Sequence, residues 1–319
     1  MKYMERESVI KDYLTIIMKY GKLLLFGFVI FTGVLFLSSC QKFKGDQEIP
    51  AYIKVDTFKL VANPLIEEGL LTHNISDVWV FVDGKSLGCY ELPAIIPVLE
   101  SGEHQLILAP GVLFNGMSGT RGQYPYLVPY KDVSFDFIID SVITVNPETH
   151  YYDNTVFTWN EDFEDGFVSL EPTQNSDTSI QLLTNEPTSP LYGHITGVGY
   201  LDDERKILEC ATNAGQSIGF ELPASNIPVF LEMDYNTNTH LSIGMFVQRT
   251  SGQLIQYPMV IVNPSGEIWK KIYINFTPLT NRYNDAAYYN IFVRADKFDD
   301  IAAPVVKFDN FKLLYKNLD

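Results

Sequence analysis

Two acids in LEMDYN, Glu232 and Asp234, are the carboxylates best spaced for chemistry. On an extended strand a two-residue spacing puts both on one face, and glycoside hydrolysis needs two carboxylates about 5 to 9.5 Å apart. A second acidic group, Glu161 to Asp165, together with the distant Asp309, offers hard oxygen ligands from two chain segments. Such ligands suit Ca²⁺, which takes about six to eight oxygens. Sugar binding asks for less: an aromatic face to stack on a pyranose ring and a few polar groups for its hydroxyls. Trp269, Tyr273, Tyr288, Tyr289 and Arg294 are the candidates, set in strand-like runs near the C-terminus. The five histidines (His73, His104, His150, His194 and His240) are scattered, with no H-x₃-H pair and no H-E-x-x-H, so zinc chemistry has no support. There is likewise no phosphate-binding glycine loop and no C-x-x-C.

The elements that must position these residues are strands. The 319 residues are 46% hydrophobic and 13% aromatic, which supplies ample core and favours β structure. Short apolar and polar alternations recur between Gly, Pro, Asn and Asp, the mark of half-buried strands in antiparallel sheets. Val78, Val80 and Val82 face one way and Trp79 and Phe81 the other, followed by an Asp83-Gly84 hairpin turn. With HQLILAPG and the alternating Val133, Phe135, Phe137 and Ile139, they predict a small β-sandwich over residues 51–150. The segment 115–129, dense in Gly, Pro and Tyr, reads as a long loop of the kind that carries binding function.

Beyond a junction near residue 150, nine runs read as strands: SIQLLT, KILECAT, QSIGFELP, VFLEMDYN, HLSIGMFVQR, PMVIVNP, WKKIYINFT, YYNIFVRAD and VKFDNFKLLY. They predict a jelly-roll β-sandwich over 151–319, so the expected fold class is all-β. Ile272, Ile274 and Phe276 should point inward, with Lys271, Tyr273 and Asn275 outside. Ile291 and Val293 should likewise pack inside, leaving Tyr288, Asn290, Phe292 and Arg294 on the other face.

The N-terminus carries an address. Leu23 to Leu37 is a 15-residue apolar run, short for a membrane span and typical of a signal-peptide core. It ends in Leu37-Ser38-Ser39-Cys40, which resembles the lipobox of bacterial lipoproteins. That resemblance implies cleavage after residue 39, lipidation of Cys40 with palmitate-like acyl chains, and a membrane anchor at the outer membrane, facing the cell surface. Residues 40–50 then form a polar tether. Glu5, Glu7 and Asp12 are out of place in a signal peptide, so Met18, followed by Lys19 and Lys22, is the expected initiator. Residues 1–39 carry five basic and three acidic groups against a whole-chain charge of −16, so the exported part stands near −18. So acidic a chain lacks the basic footprint of nucleic-acid binding. Cys89 and Cys210 fall on either side of the junction, and no disulfide framework is expected.

VWVFVDGKSLGCYELPAIIPVLESGEHQLILAPG resembles a PEGA-like β-sandwich, apart from a proline-rich insertion at Pro93 to Pro97. Glu161-Asp162-Phe163-Glu164-Asp165-Gly166 and Phe308-Asp309-Asn310-Phe311-Lys312-Leu313 resemble the opening and closing motifs of carbohydrate-binding, galactose-binding-like jelly rolls. In those folds a structural Ca²⁺ often sits where the first and last strands meet, and the matching positions are Glu161, Glu164 and Asp309. Glu232-Met233-Asp234 is similar to part of a jelly-roll glycanase signature, but Asn236 and Thr237 stand where that signature continues to a further glutamate. The whole layout resembles cell-surface lipoproteins of Bacteroidota-type bacteria. The expectation is therefore a non-catalytic, lipid-anchored protein binding a glycan or an envelope protein. The alternatives are an accessory subunit of a secretion or adhesion assembly and, behind it, a glycoside hydrolase.

Overall fold

The computed structural model describes residues 49–184, 193–216, 218–266, 268–298 and 301–317, together with Met18. Cys40, the leader and all but the last residues of the tether lie outside the described residues.

The chain from residue 50 is all-β. Its first half carries β1 (Ala51–Val55), β2 (Lys59–Leu60), β3 (Asp77–Val82), β4 (Lys85–Glu91), β5 (Ala94–Val98), β6 (Gly102–Leu113), β7 (Arg121–Gln123), β8 (Tyr130–Phe137), β9 (Val142–Val145) and β10 (Glu148–Thr149). One sheet runs β5-β1-β9, another β4-β3-β6-β7 with β8 also on β6, and β2 pairs with β10. Ile53, Ile96, Val78, Val80 and Leu108 from the two larger sheets meet in one core. Asp83 (φ 48°) and Gly84 (φ 75°) both adopt the left-handed region, which makes the expected two-residue hairpin between β3 and β4. Two details depart from the sequence reading. β1 pairs with β9, and β2 with β10, in parallel, because the closing strands return alongside the opening ones in the same direction. The proline-rich stretch is strand β5, which tolerates Pro97 because it lies at a sheet edge and needs no N–H on its open side.

The second half carries β11 (Thr155–Glu161), β12 (Leu170–Pro172), β13 (Gln181–Thr184), β14 (Ile195–Tyr200), β15 (Ile207–Thr212), β16 (Val229–Thr237), β17 (Leu241–Arg249), β18 (Leu254–Val262) and β19 (Lys270–Asn275). A short helix α1 (Thr277–Arg282) leads to β20 (Ala286–Asp296) and β21 (Val305–Lys316). The back sheet runs β13-β14-β21-β16-β19 with β11 also on β21, and the front sheet runs β12-β15-β20-β17-β18. Leu231, Met233, Ile272 and Ile274 from the back sheet pack against Leu208, Ile243, Met245, Ile291 and Val293 from the front. Their alternation is the one the sequence predicts.

Of the predicted runs, the described residues of QSIGFELP form no strand and contribute a single bridge from Phe220 to Tyr289. Conversely β14 escapes a reading that treats glycine as punctuation. A Cβ at Gly197 would lie 2.4 Å from the Phe163 ring, and one at Gly199 2.4 Å from Leu208, so these glycines serve close packing inside a strand.

Pro50–Asp319 forms one compact unit, joined through the outer face of the back sheet. Phe230, Tyr273 and Leu314 from that face belong to the core of the first half. The segment 115–129 is no free loop: Tyr124, Tyr126 and Leu127 are buried, and the Tyr126 hydroxyl donates to the Pro228 carbonyl at 2.6 Å. Tyr124 packs edge-on against Tyr273 with ring centroids 4.8 Å apart.

The same junction buries charge. Glu232 accepts hydrogen bonds from the hydroxyls of Tyr124 (2.7 Å) and Tyr151 (2.9 Å), with the Lys271 ammonium at 3.3 Å. Asp234 accepts from Thr72 at 2.6 Å, and Lys312 donates to the Leu70 carbonyl at 2.7 Å. Burial, and then the charge of Glu232, pushes the Tyr124 and Tyr151 hydroxyls well above their usual range. Isolated charges here would be prohibitive, and pairing plus hydrogen bonding is what makes them tolerable.

Candidate functional site

Among the described residues, the outer face of the front sheet carries a cleft shaped for an extended ligand. Strand alternation turns Ser242, Phe246 and Gln248 of β17 outward, together with Tyr288, Asn290, Phe292 and Arg294 of β20. Pairing sets them in rows across the sheet: Glu209, Arg294 and Ser242; then Asn290, Phe246 and Gln256; then Tyr288, Gln248 and Leu254. Above these rows lies a cleft of about 630 Å³, walled by the segments 172–175 and 213–216.

Its floor is made of Phe246 and Tyr288, and six side-chain amides line it: Gln174, Asn175, Asn213, Gln216, Gln248 and Asn290. Phe246 is backed by Phe292 at a centroid distance of 5.0 Å. Phe292 can lie flat only because residue 244 is glycine, where a Cβ would come within 2.7 Å of its ring. Asn290 is held in place by donating to the Ile218 carbonyl at 3.0 Å while accepting from Asn213 at 3.2 Å.

One end of the cleft is pinned by Glu209. Burial alone would raise its carboxyl, but hydrogen bonds from Thr173, Arg294, Gln256 and Asn175 outweigh burial and hold it at about 2. Arg294 donates to Glu209 at 2.8 Å and to Asp296 at 2.6 Å, so its guanidinium is a brace for the floor. Among the described lining residues Glu209 alone is charged, and its charge is already paired. The lining thus presents aromatic faces and amide donors and acceptors with no unpaired charge, which suits an uncharged ligand rich in hydroxyls.

The residues predicted from sequence divide sharply. Tyr288 lines the cleft and Arg294 braces it, both on the outer face as expected. Tyr273 does not reach solvent: it is 3% exposed on the back sheet, and its hydroxyl accepts the Asn74 backbone N–H at 2.8 Å. Its strand is covered on both faces, by the front sheet and by the first half. Tyr289 turns into the sandwich core, where its hydroxyl donates to the Tyr283 carbonyl at 2.8 Å. Trp269 is half-buried just before β19 and takes no part in lining the cleft. Phe246, Gln248 and Asn290 line the cleft without being among the residues singled out from sequence, although the alternation of HLSIGMFVQR already places the first two on the outer face.

Glu232 and Asp234 do share a face, but it is the buried one. Both are fully buried, with Glu232 held by Tyr124, Tyr151 and Lys271, and no sugar bond can be brought between them. The hydrolase reading of this pair is therefore corrected.

The calcium set does not fit either. Glu161 spends both oxygens on the backbone N–H groups of Phe163 (2.9 Å) and Ser169 (2.7 Å), and Glu164 turns its Oε1 to those of His194 and Ile195. Asp309 keeps one buried oxygen without a partner, and burial raises its carboxyl to about 8. Among the described residues no group of three or more His, Cys, Asp or Glu side chains is arranged to hold a metal ion.

Fold and cleft define the class: a jelly-roll β-sandwich, fused to a smaller one, with a ligand-sized groove across its front sheet. No family's sequence pattern and no curated protein matches the chain. Among solved structures, the CBM22-1 xylan-binding domain from Paenibacillus barcinonensis Xyn10C matches at 10% identity and a TM-score of 0.36, over 51% of this chain and 97% of that one. A non-crystalline-cellulose-specific module, CBM28, matches at 14% identity and 0.34, over 47% and 90%. TmCBM61, solved with β-1,4-galactotriose, matches at 17% identity and 0.30, over 49% and 94%. At these scores the likeness decides nothing about ligand, and the fold rests on the strand pairings themselves.

Proposed function

We propose that this chain is a lipid-anchored surface protein that binds a neutral glycan in the front-sheet cleft without transforming it. The observation that carries the reading is the lining: the rings of Phe246 and Tyr288 on the floor, six amides around them, and a paired Glu209. A pyranose offers apolar C–H faces to the rings and hydroxyls to the amides, and an uncharged cleft selects neutral sugars over acidic ones. The anchor is read from the lipobox at Cys40, and the polar stretch after it reads as a tether.

A glycan array probed with the wild-type protein and with Tyr288→Ala and Phe246→Ala tests the reading. Hits on neutral polysaccharides that weaken by about tenfold in either variant are expected, a loss on the scale of one stacked ring. A blank array, or hits that neither variant changes, would remove the cleft from consideration.

A further inference from the structure

The first half has a cavity of its own, on a different sheet and independent of the front-sheet cleft. On the outer face of β4-β3-β6-β7, Trp79 stands opposite Cys89 on one side and Ala109 on the other, and Asp77 stands opposite Glu91 and Gly111. Every neighbour of the indole across the sheet is small, so the ring lies close against the strands. At Gly111 a Cβ would come 3.1 Å from the indole Nε1 and 2.9 Å from the Asp77 Cβ, which makes glycine a requirement of this packing. The buried Nε1 has no hydrogen-bond partner, so the ring is held by shape, and an unmade buried bond is the cost of keeping it there.

Over this ring opens a cavity of about 400 Å³ lined by Asp77, Trp79, Cys89, Glu91, Ser118 and Arg121. Arg121 is locked by two ion pairs, to the buried Asp77 and to Glu91 at 2.8 Å. Glu91 is 71% exposed and keeps an oxygen free of that pair. Ser118 comes from the short turn of the 115–129 segment, whose tyrosines are docked on the back sheet, so the wall it forms is fixed at its other end. The groups around the cavity are thus an aromatic platform, a fixed guanidinium, a carboxylate and a hydroxyl. Two carboxylates against one guanidinium leave a net charge of −1, which disfavours anions.

We propose that this cavity is a second carbohydrate-binding site, taking a neutral pyranose unit against Trp79, with Glu91 accepting from and Arg121 donating to its hydroxyls. Aromatic stacking supplies the affinity, and the Arg121–Glu91 pair, preorganised by Asp77, supplies orientation. Two sites on separate sheets of one compact unit would engage a polysaccharide at two points.

Affinity electrophoresis of the full chain through gels containing soluble xylan, β-glucan, mannan or galactan tests this. Retardation of wild type on one or more of these gels is expected to fall by about tenfold in apparent affinity in Trp79→Ala and also in Glu91→Gln, on the scale of one stacked or hydrogen-bonded ring. The contribution of this site should persist in Tyr288→Ala, so the double variant Trp79→Ala/Tyr288→Ala is weaker than either single one. Glu91→Gln is a surface change that keeps the fold, and it decides the matter if Trp79→Ala lowers the melting temperature. No retardation of wild type on any gel, or retardation indifferent to Trp79→Ala and Glu91→Gln, overturns the proposal.

Discussion

Lys312 offers a quantitative test of how the two sandwiches are joined. It lies on β21, 2% exposed, with its ammonium donating to the Leu70 carbonyl and standing 5.4 Å from the centre of the Tyr151 ring. Burial lowers its ammonium from 10.5 to about 8, even though Glu232 pulls the other way. A group whose folded value is depressed in this direction weakens the fold as pH falls from the unfolded value to the folded one. At about 1.4 kcal/mol per unit, the charge costs about 3 kcal/mol below pH 8 and nothing well above pH 10. Lys312→Met keeps the unbranched stem and removes the charge, and the lost hydrogen bond takes back about 1 kcal/mol. The variant should therefore be about 2 kcal/mol more stable than wild type at neutral pH, with the difference vanishing near pH 10. Urea denaturation of both proteins at the two pH values measures this. A variant destabilised equally at both would show that attraction to Glu232 and Asp234 matches or exceeds the desolvation cost, and would refute the reasoning.

Other outcomes follow from the same geometry. Glu209, held at about 2, contributes stability that is present above its ordinary value of 4.5 and lost as pH falls through about 2. The melting temperatures of wild type and Glu209→Gln should therefore converge as the solution is acidified across that window, and a constant gap would count against the assignment. Glu232→Gln should lower stability by about 3 kcal/mol, because it weakens a buried pair, while leaving glycan binding unchanged. Loss of a polysaccharide-degrading activity in that variant would revive the hydrolase reading. Cys40→Ser should abolish fatty-acid labelling and release the protein from membranes; labelling that survives would place the anchor elsewhere.

Much of the architecture was legible because strand alternation is local. The opposition of Ile291 and Val293 to Tyr288, Asn290, Phe292 and Arg294 in β20 needs nothing beyond the neighbouring residues, and it came out as expected. What was not legible depends on long-range contact. β16 is buried along nearly its whole length, on both faces, yet its Glu232 and Asp234 look like a solvated or catalytic pair. Their partners Tyr124, Tyr151 and Thr72 lie more than eighty residues away in sequence, and only the docking of the first half brings them there. Tyr273 misled for the same reason. The cleft was half visible: the aromatic Tyr288 was identified, while the amides that give the lining its polarity carry no motif and are recognised only once the walls at 172–175 and 213–216 rise beside them.

Covering the back sheet also determines what can be inherited or transplanted. A fragment beginning at 151 would leave Phe230, Tyr273 and Leu314 bare and would strand Glu232, Asp234, Lys271 and Lys312 at a new surface without Tyr124, Thr72 and the Leu70 carbonyl that satisfy them. Such a piece would be sticky and short of stability, so shuffling the front-sheet groove into another protein requires carrying Pro50 onward as cargo. Recombination in nature faces the same restriction, and the two sandwiches are expected to duplicate, spread and be lost together.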